Sequence, residues 1–79
     1  MSDWKEENDT LTRQFEFKDF SEAFGFMTRV AIEAERLGHH PDWNNVYNNV
    51  EINLSTHDEG NKVTEKDRKL AERIDALLN

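Results

Sequence analysis

Apolar positions along this chain repeat with period two, then with a period between three and four, and then do both again. Leu11, Phe15 and Phe17 share one face of a period-two run, interrupted by Arg13, so residues 11–17 predict a strand. Residues 4–7 predict a short, charged partner strand across the turn pair Asn8-Asp9, and that charge suits a sheet edge. Residues 19–38 predict the longest helix. Asp19 can cap it, Glu22 follows three residues on, and Gly38 offers the left-handed stop. Its expected apolar face is Phe20, Ala23, Phe24, Met27, Val30, Ala31, Ala34 and Leu37. Phe26 and Ile32 widen that face toward a second contact surface, such as another subunit, unless both are simply part-exposed.

The alternation then resumes. Residues 44–47 and 50–56 predict a second hairpin around Asn48-Asn49, a pair that tolerates the positive φ of tight turns. Val50, Ile52 and Leu54 alternate with Glu51, Asn53 and Ser55, so one face is buried and the other polar. After the loop 58–63, Thr64 with Asp67 matches a helix start, and Leu70, Ala71, Ile74, Leu77 and Leu78 make an apolar stripe. The predicted order is ββαββα in a single domain spanning residues 1–79.

Composition narrows the chemistry. A chain of 79 residues buries only about 60% of its unfolded surface, which makes subunit association a natural source of stability. The absence of cysteine removes disulfides, thiolate catalysis and cysteine-zinc sites. Seventeen acidic residues against ten basic leave a net charge of −7, which repels a phosphate backbone and argues against direct nucleic-acid binding. The first seven residues lack an apolar run, and residues 20–37 carry five charged side chains, Glu22, Arg29, Glu33, Glu35 and Arg36. No export signal or membrane span is therefore expected, and a cytoplasmic location is.

All three histidines fall near the second hairpin, in the pattern E-x3-H-H-P-x5-Y-x9-H-x9-D formed by Glu35, His39, His40, Pro41, Tyr47, His57 and Asp67. Imidazole exchanges protons near neutral pH, so such a group points to proton transfer or metal binding. A two-residue turn at Asn48-Asn49 would set Tyr47 against Val50, Trp43 against Leu54 and His40 against His57, with Pro41 distorting the ladder. The histidines should then gather at one end of the hairpin. Adjacent side chains point apart, so His39 and His40 should differ in role, one facing a pocket and one bracing it.

Each signal has a plainer reading. A His-His-Pro run can be a surface turn, Trp43 and Tyr47 can serve the core, and Glu35 can pair with a nearby cation. Asp67 can be a helix-start carboxylate, and Asp58 and Glu59 a solvated loop. The sharper rival is a metal bound by His39, His40, His57 and one carboxylate. Adjacent histidines diverge, however, and no H-E-x-x-H spacing is present.

Taken with Phe15-Glu16-Phe17-Lys18-Asp19-Phe20, Ala23-Phe24-Gly25-Phe26-Met27-Thr28-Arg29-Val30-Ala31, His39-His40-Pro41-Asp42-Trp43-Asn44-Asn45-Val46-Tyr47-Asn48 and Val50-Glu51-Ile52-Asn53-Leu54-Ser55-Thr56-His57, the chain resembles the pterin-4a-carbinolamine dehydratases, also called dimerisation cofactors of hepatocyte nuclear factor. The resemblance runs from Trp4 onward. It implies an α+β fold, with helices packed on one face of a four-stranded antiparallel sheet. It implies loss of water from 4a-hydroxytetrahydropterin to give quinonoid dihydropterin, in the recycling that follows an aromatic amino acid hydroxylase, with neither metal nor organic cofactor. His39, His40 and His57 would be the catalytic or substrate-contacting set, with His40 and His57 assigned to acid/base work and His39 to orienting the pterin. Glu35 and Asp67 would support the imidazoles, Pro41, Trp43 and Tyr47 would line or stiffen the site, and Trp4 would border it. The resemblance also implies a homodimer or homotetramer. Its alternative function is a non-catalytic role, as transcription coactivator or assembly factor. Two departures stand out: only three residues precede Trp4, where relatives carry a further helical segment, and Gly60-Asn61-Lys62-Val63-Thr64 is one residue longer than the family's Gly-Leu-Thr-like run.

Overall fold

Asn8 and Asp9 both take positive φ, 51° and 60°, as a tight right-twisted hairpin turn requires. They join β1 (Lys5–Glu7) to β2 (Thr10–Glu16) in a computed structural model that describes residues 3–78. Helix α1 (Phe20–Leu37) follows, then β3 (Asp42–Val46), β4 (Asn49–Leu54), a single 3-10 turn at His57–Glu59, and α2 (Glu65–Ala76). The sheet is antiparallel in the order β1-β2-β4-β3, so the two hairpins meet through their second strands. The short charged β1 lies at an edge, as its sequence suggested.

The register makes one face apolar. Leu11 pairs with Leu54 and Phe15 with Val50, while on the opposite face Thr12 pairs with Asn53 and Gln14 with Glu51. Both helices cover the apolar face, where Phe26, Val30, Leu70 and Ile74 are fully buried with Ile52 and Leu54. Arg13, the break in the apolar alternation, is tolerated there. Its guanidinium lies 4.7 Å from the centre of the Phe15 ring and 2.8 Å from Asp75.

Helix α1 is bounded as its sequence predicts. Glu22 N–H donates to Asp19 Oδ1 at 2.8 Å, and the Glu22 carboxylate reaches back to Lys18 N–H. Its buried stripe, however, is Ala23, Phe26, Val30 and Ala34. Phe26 is thus a central core residue rather than an extension of the face; its ring lies 4.9 Å from those of both Phe15 and Phe17. Phe20, Phe24 and Ile32 are instead about half exposed, and Ala31 is exposed. The helix is rotated relative to the expected face because its contacts are shared between the sheet and α2, and Phe26 packs into the core with Phe15 of β2 and Ile52 and Leu54 of β4.

The second hairpin corrects the predicted register. Val46 pairs with Asn49, so the turn is Tyr47-Asn48, and Trp43 lies opposite Ile52 rather than Leu54. Tyr47, not an asparagine, takes the positive φ of 52°. The shift follows from Asn48, which docks the turn on the end of β2. Phe17 N–H donates to Asn48 O, and Asn48 Nδ2 donates to Phe17 O, both at 2.8 Å. Asn45 closes the turn from the other side through Tyr47 O and Asn49 O. Moving the pairing by two residues preserves which side chains share a face.

Candidate active site

The stop of α1 fixes the first histidine. Gly38 adopts φ 65°, its N–H donates to Glu35 O, and the next N–H, of His39, reaches Ala34 O at 3.1 Å. This paired closure is a Schellman motif, which turns the chain back against the helix end. His39 enters the protein from that corner, with its side chain only 11% exposed. His40, one residue on, points the other way and is 64% exposed. The expected divergence of the two rings is therefore present.

His39 Nε2 lies 2.5 Å from Asp67 Oδ1. The other oxygen of Asp67 accepts from Thr56 Oγ1 at 2.7 Å and from Thr64 N–H at 2.9 Å. Asp67 thus serves as helix cap and imidazole partner together, one oxygen to each task. The residue is fully buried, and every partner can donate, so the carboxylate is the form these contacts suit. His40 Nε2 lies 2.9 Å from Glu35 Oε1, an exposed pair that spans the end of α1. His57 stands on the 3-10 turn rather than opposite His40 in the ladder, with Nδ1 2.6 Å from Asn61 Oδ1.

These three sites meet at one end of the sheet, around two adjoining clefts. The larger, about 300 Å³, opens on the polar sheet face and is lined by Thr12, Asn53, Ser55, Glu7 and Asp42 together with His40 and His57. The smaller, about 190 Å³, lies between the end of α1 and the start of α2, where His39, Gly38 and Lys66 join the same His40 and His57. His40 and His57 therefore form the shared wall. Among the described residues, no three histidine or carboxylate groups converge as a metal-ligand set.

The remaining candidates are placed elsewhere. Trp4 borders neither cleft; it is buried, edge-on to Phe15, and its Nε1–H donates to Asp75 Oδ1 at 2.8 Å. Asp75 is eight residues along α2 from Asp67, roughly 12 Å at 1.5 Å per residue. Trp43 is half-buried against the core, and Tyr47 is exposed at the opposite end of the hairpin from the histidines. Pro41 links His40 to the first ladder residue, Asp42, without lining either cleft. Thr56 was not among the expected site residues. The alternation Ile52, Leu54, Thr56 places it on the buried face, and a buried hydroxyl demands a partner, which is the signal that could have found it.

A small α+β protein that sets three histidines around one polar cleft, one of them backed by a buried carboxylate, carries the groups that acid/base chemistry on a small ligand would need. The family model described as pterin 4 alpha carbinolamine dehydratase matches residues 1–77, and the chain belongs to that family. It is 54% identical over 76 residues to a Prochlorococcus marinus protein named "putative pterin-4-alpha-carbinolamine dehydratase", covering 96% of this chain and 79% of that one. A Paraburkholderia xenovorans protein of the same name is 62% identical over 69 residues, covering 87% and 71%. Among solved structures, a transcriptional coactivator/pterin dehydratase from Brucella melitensis superposes with a TM-score of 0.93 at 47% identity, over all of this chain and 85% of that one. A pterin dehydratase-like protein identified as a RuBisCO assembly factor in the alpha-carboxysome superposes at 0.79 with 28% identity, over 94% and 87%.

Proposed function

We propose that this protein dehydrates 4a-hydroxytetrahydropterin to quinonoid dihydropterin. The observation that carries the reading is the shared wall: His40 and His57 face one polar cleft together, with His39 behind them on Asp67. Elimination breaks the C4a–O bond. A proton must reach the departing oxygen, which leaves as water, and a proton must leave a ring nitrogen, whose electron pair forms the new double bond. One proton is given and one is taken, so two imidazoles in opposite protonation states are sufficient. His40 and His57 take those roles in this reading. Asn61 Oδ1 accepts from His57 Nδ1–H and leaves Nε2 open, and Glu35 anchors the ring of His40 by the opposite nitrogen. His39 orients the pterin.

The wider reading places the reaction in tetrahydropterin recycling beside an aromatic amino acid hydroxylase, in the cytoplasm, by a homodimer or homotetramer. No described helix is long and apolar enough to cross a membrane. The alternative, an interaction or assembly protein, draws on one feature: Phe20, Phe24 and Ile32 leave an exposed apolar strip on α1. A deciding assay generates the carbinolamine enzymatically and follows its decay by ultraviolet absorbance. Accelerated decay that disappears in His57→Ala and in His40→Ala supports the dehydratase. Wild-type turnover in either variant refutes the division of roles, and no acceleration by folded wild-type protein refutes the activity.

A further inference from the structure

We propose that Thr56 and Thr64 are positioning residues, whose hydroxyls hold the Asp67 carboxylate so that His39 is gripped by Nε2 and offers a bare Nδ1 to the ligand. The part of this that concerns turnover rests on the dehydratase reading; the part that concerns His39 does not.

The argument is a count of protons. A threonine hydroxyl has one to give. Thr56 Oγ1 lies 2.7 Å from Asp67 Oδ2 and gives its proton there, because a carboxylate only accepts. Thr56 must then accept across its 2.7 Å contact with Thr64 Oγ1. Thr64 gives its proton in that contact and accepts from Lys66 N–H at 3.3 Å. Thr64 N–H, a backbone donor that cannot reverse, reaches the same Asp67 Oδ2 at 2.9 Å. Every proton in the series therefore points toward one oxygen.

Asp67 Oδ1 is left for His39 Nε2–H. With Asp67 fully buried and Thr56 2% exposed, water offers the carboxylate no substitute donor. In the neutral ring, the opposite tautomer would set an imidazole lone pair against the carboxylate, which is heavily penalised in such surroundings. Nδ1 of His39 has no hydrogen bond among the described residues, and no buried side-chain polar atom there lacks a partner. It is therefore open to the smaller cleft, beside Lys66 and the shared His40 and His57. A bare ring nitrogen accepts only, so this position selects an N–H or O–H donor, and a reduced pterin ring carries several.

The test uses histidine-labelled, ligand-free protein under slightly alkaline conditions, with exchange of the His39 Nε2–H read by NMR and KM for the carbinolamine read separately. Thr56→Val keeps the buried volume and removes the hydroxyl. It is expected to speed exchange about ten-fold and raise KM about ten-fold, the lower range for losing a group that orients an active imidazole. Thr56→Ser should restore both, which a purely steric role would not. Should Thr56→Val fail to fold, Thr64→Gly removes the donor to Thr56 while keeping a tolerated helix cap, and should move both readouts in the same direction. Folded variants with wild-type exchange and KM overturn the proposal. Faster exchange with unchanged KM in an active enzyme overturns it also, since the network would then serve the fold alone. An inactive wild-type protein refutes the dehydratase reading, and the exchange measurement still decides whether the hydroxyls hold His39.

Discussion

Asp67→Asn changes one atom at the centre of the network and should invert the use of His39. Thr64 N–H and Thr56 Oγ1–H both point at Oδ2, and the backbone donor cannot turn away. The amide oxygen must therefore occupy that position. Its NH2 then faces His39 across the present 2.5 Å contact, where a hydrogen-bond acceptor is required. The imidazole can supply one only by moving its proton to Nδ1. The three contacts survive, but each exchanges a charge-assisted bond for a neutral one of about half the strength, roughly 1 kcal/mol apiece. Removing a buried charge returns energy of similar size, so the net loss should be about 1–2 kcal/mol. A chain of 79 residues has about 4–12 kcal/mol to lose, so the variant should fold. Asp67→Ala would be less informative, because it leaves three donors unpaired at about 1–3 kcal/mol each, comparable with the whole stability. Nitrogen shifts of the imidazole should report the Nδ1–H tautomer in Asp67→Asn, and kcat/KM should fall about 10–100-fold. A folded variant that keeps the Nε2–H tautomer, or turns over like wild type, would refute the reasoning.

Two further predictions concern the fold. Phe26→Ala should cost about 3–5 kcal/mol in chemical denaturation, whereas Phe24→Ala should cost less than about 1 kcal/mol in dilute protein. Equal losses would contradict the burial of one ring and the exposure of the other, and a concentration-dependent loss at Phe24 would mark a subunit contact. Gly38→Ala meets no atom within 4 Å, so its cost is conformational alone, about 1–2 kcal/mol for a left-handed alanine. Gly38→Asn should be milder by thermal denaturation, and both should lower turnover because the same turn delivers His39.

Local signals in the chain determined most of the elements. Asp19, Gly38, Thr64 and the pair Asn8-Asp9 act on backbone groups within a few residues, so their effects are written in sequence order. Period-two alternation told which side of β4 is buried, and it survived the shift in register because a shift of two returns every side chain to its own face. The gathering of the histidines was also legible, since the end of one strand must lie beside the start of its antiparallel neighbour.

What lay outside reach was set by contacts between distant segments. Asn48 chose the hairpin turn by docking on Phe17, thirty-one residues away in sequence. Phe26 rather than Phe24 entered the core because two helices and a sheet had to share one volume. Trp4 was drawn to Asp75 and away from the clefts. Asp67 is placed by a local capping rule; its support of an imidazole was implied by the family resemblance alone, and which histidine it holds was decided when α2 set its first turn against the end of α1. Hydrogen-bond donors and acceptors near one another in the chain can be paired by inspection, but those brought together by packing depend on the three-dimensional arrangement of every element between them.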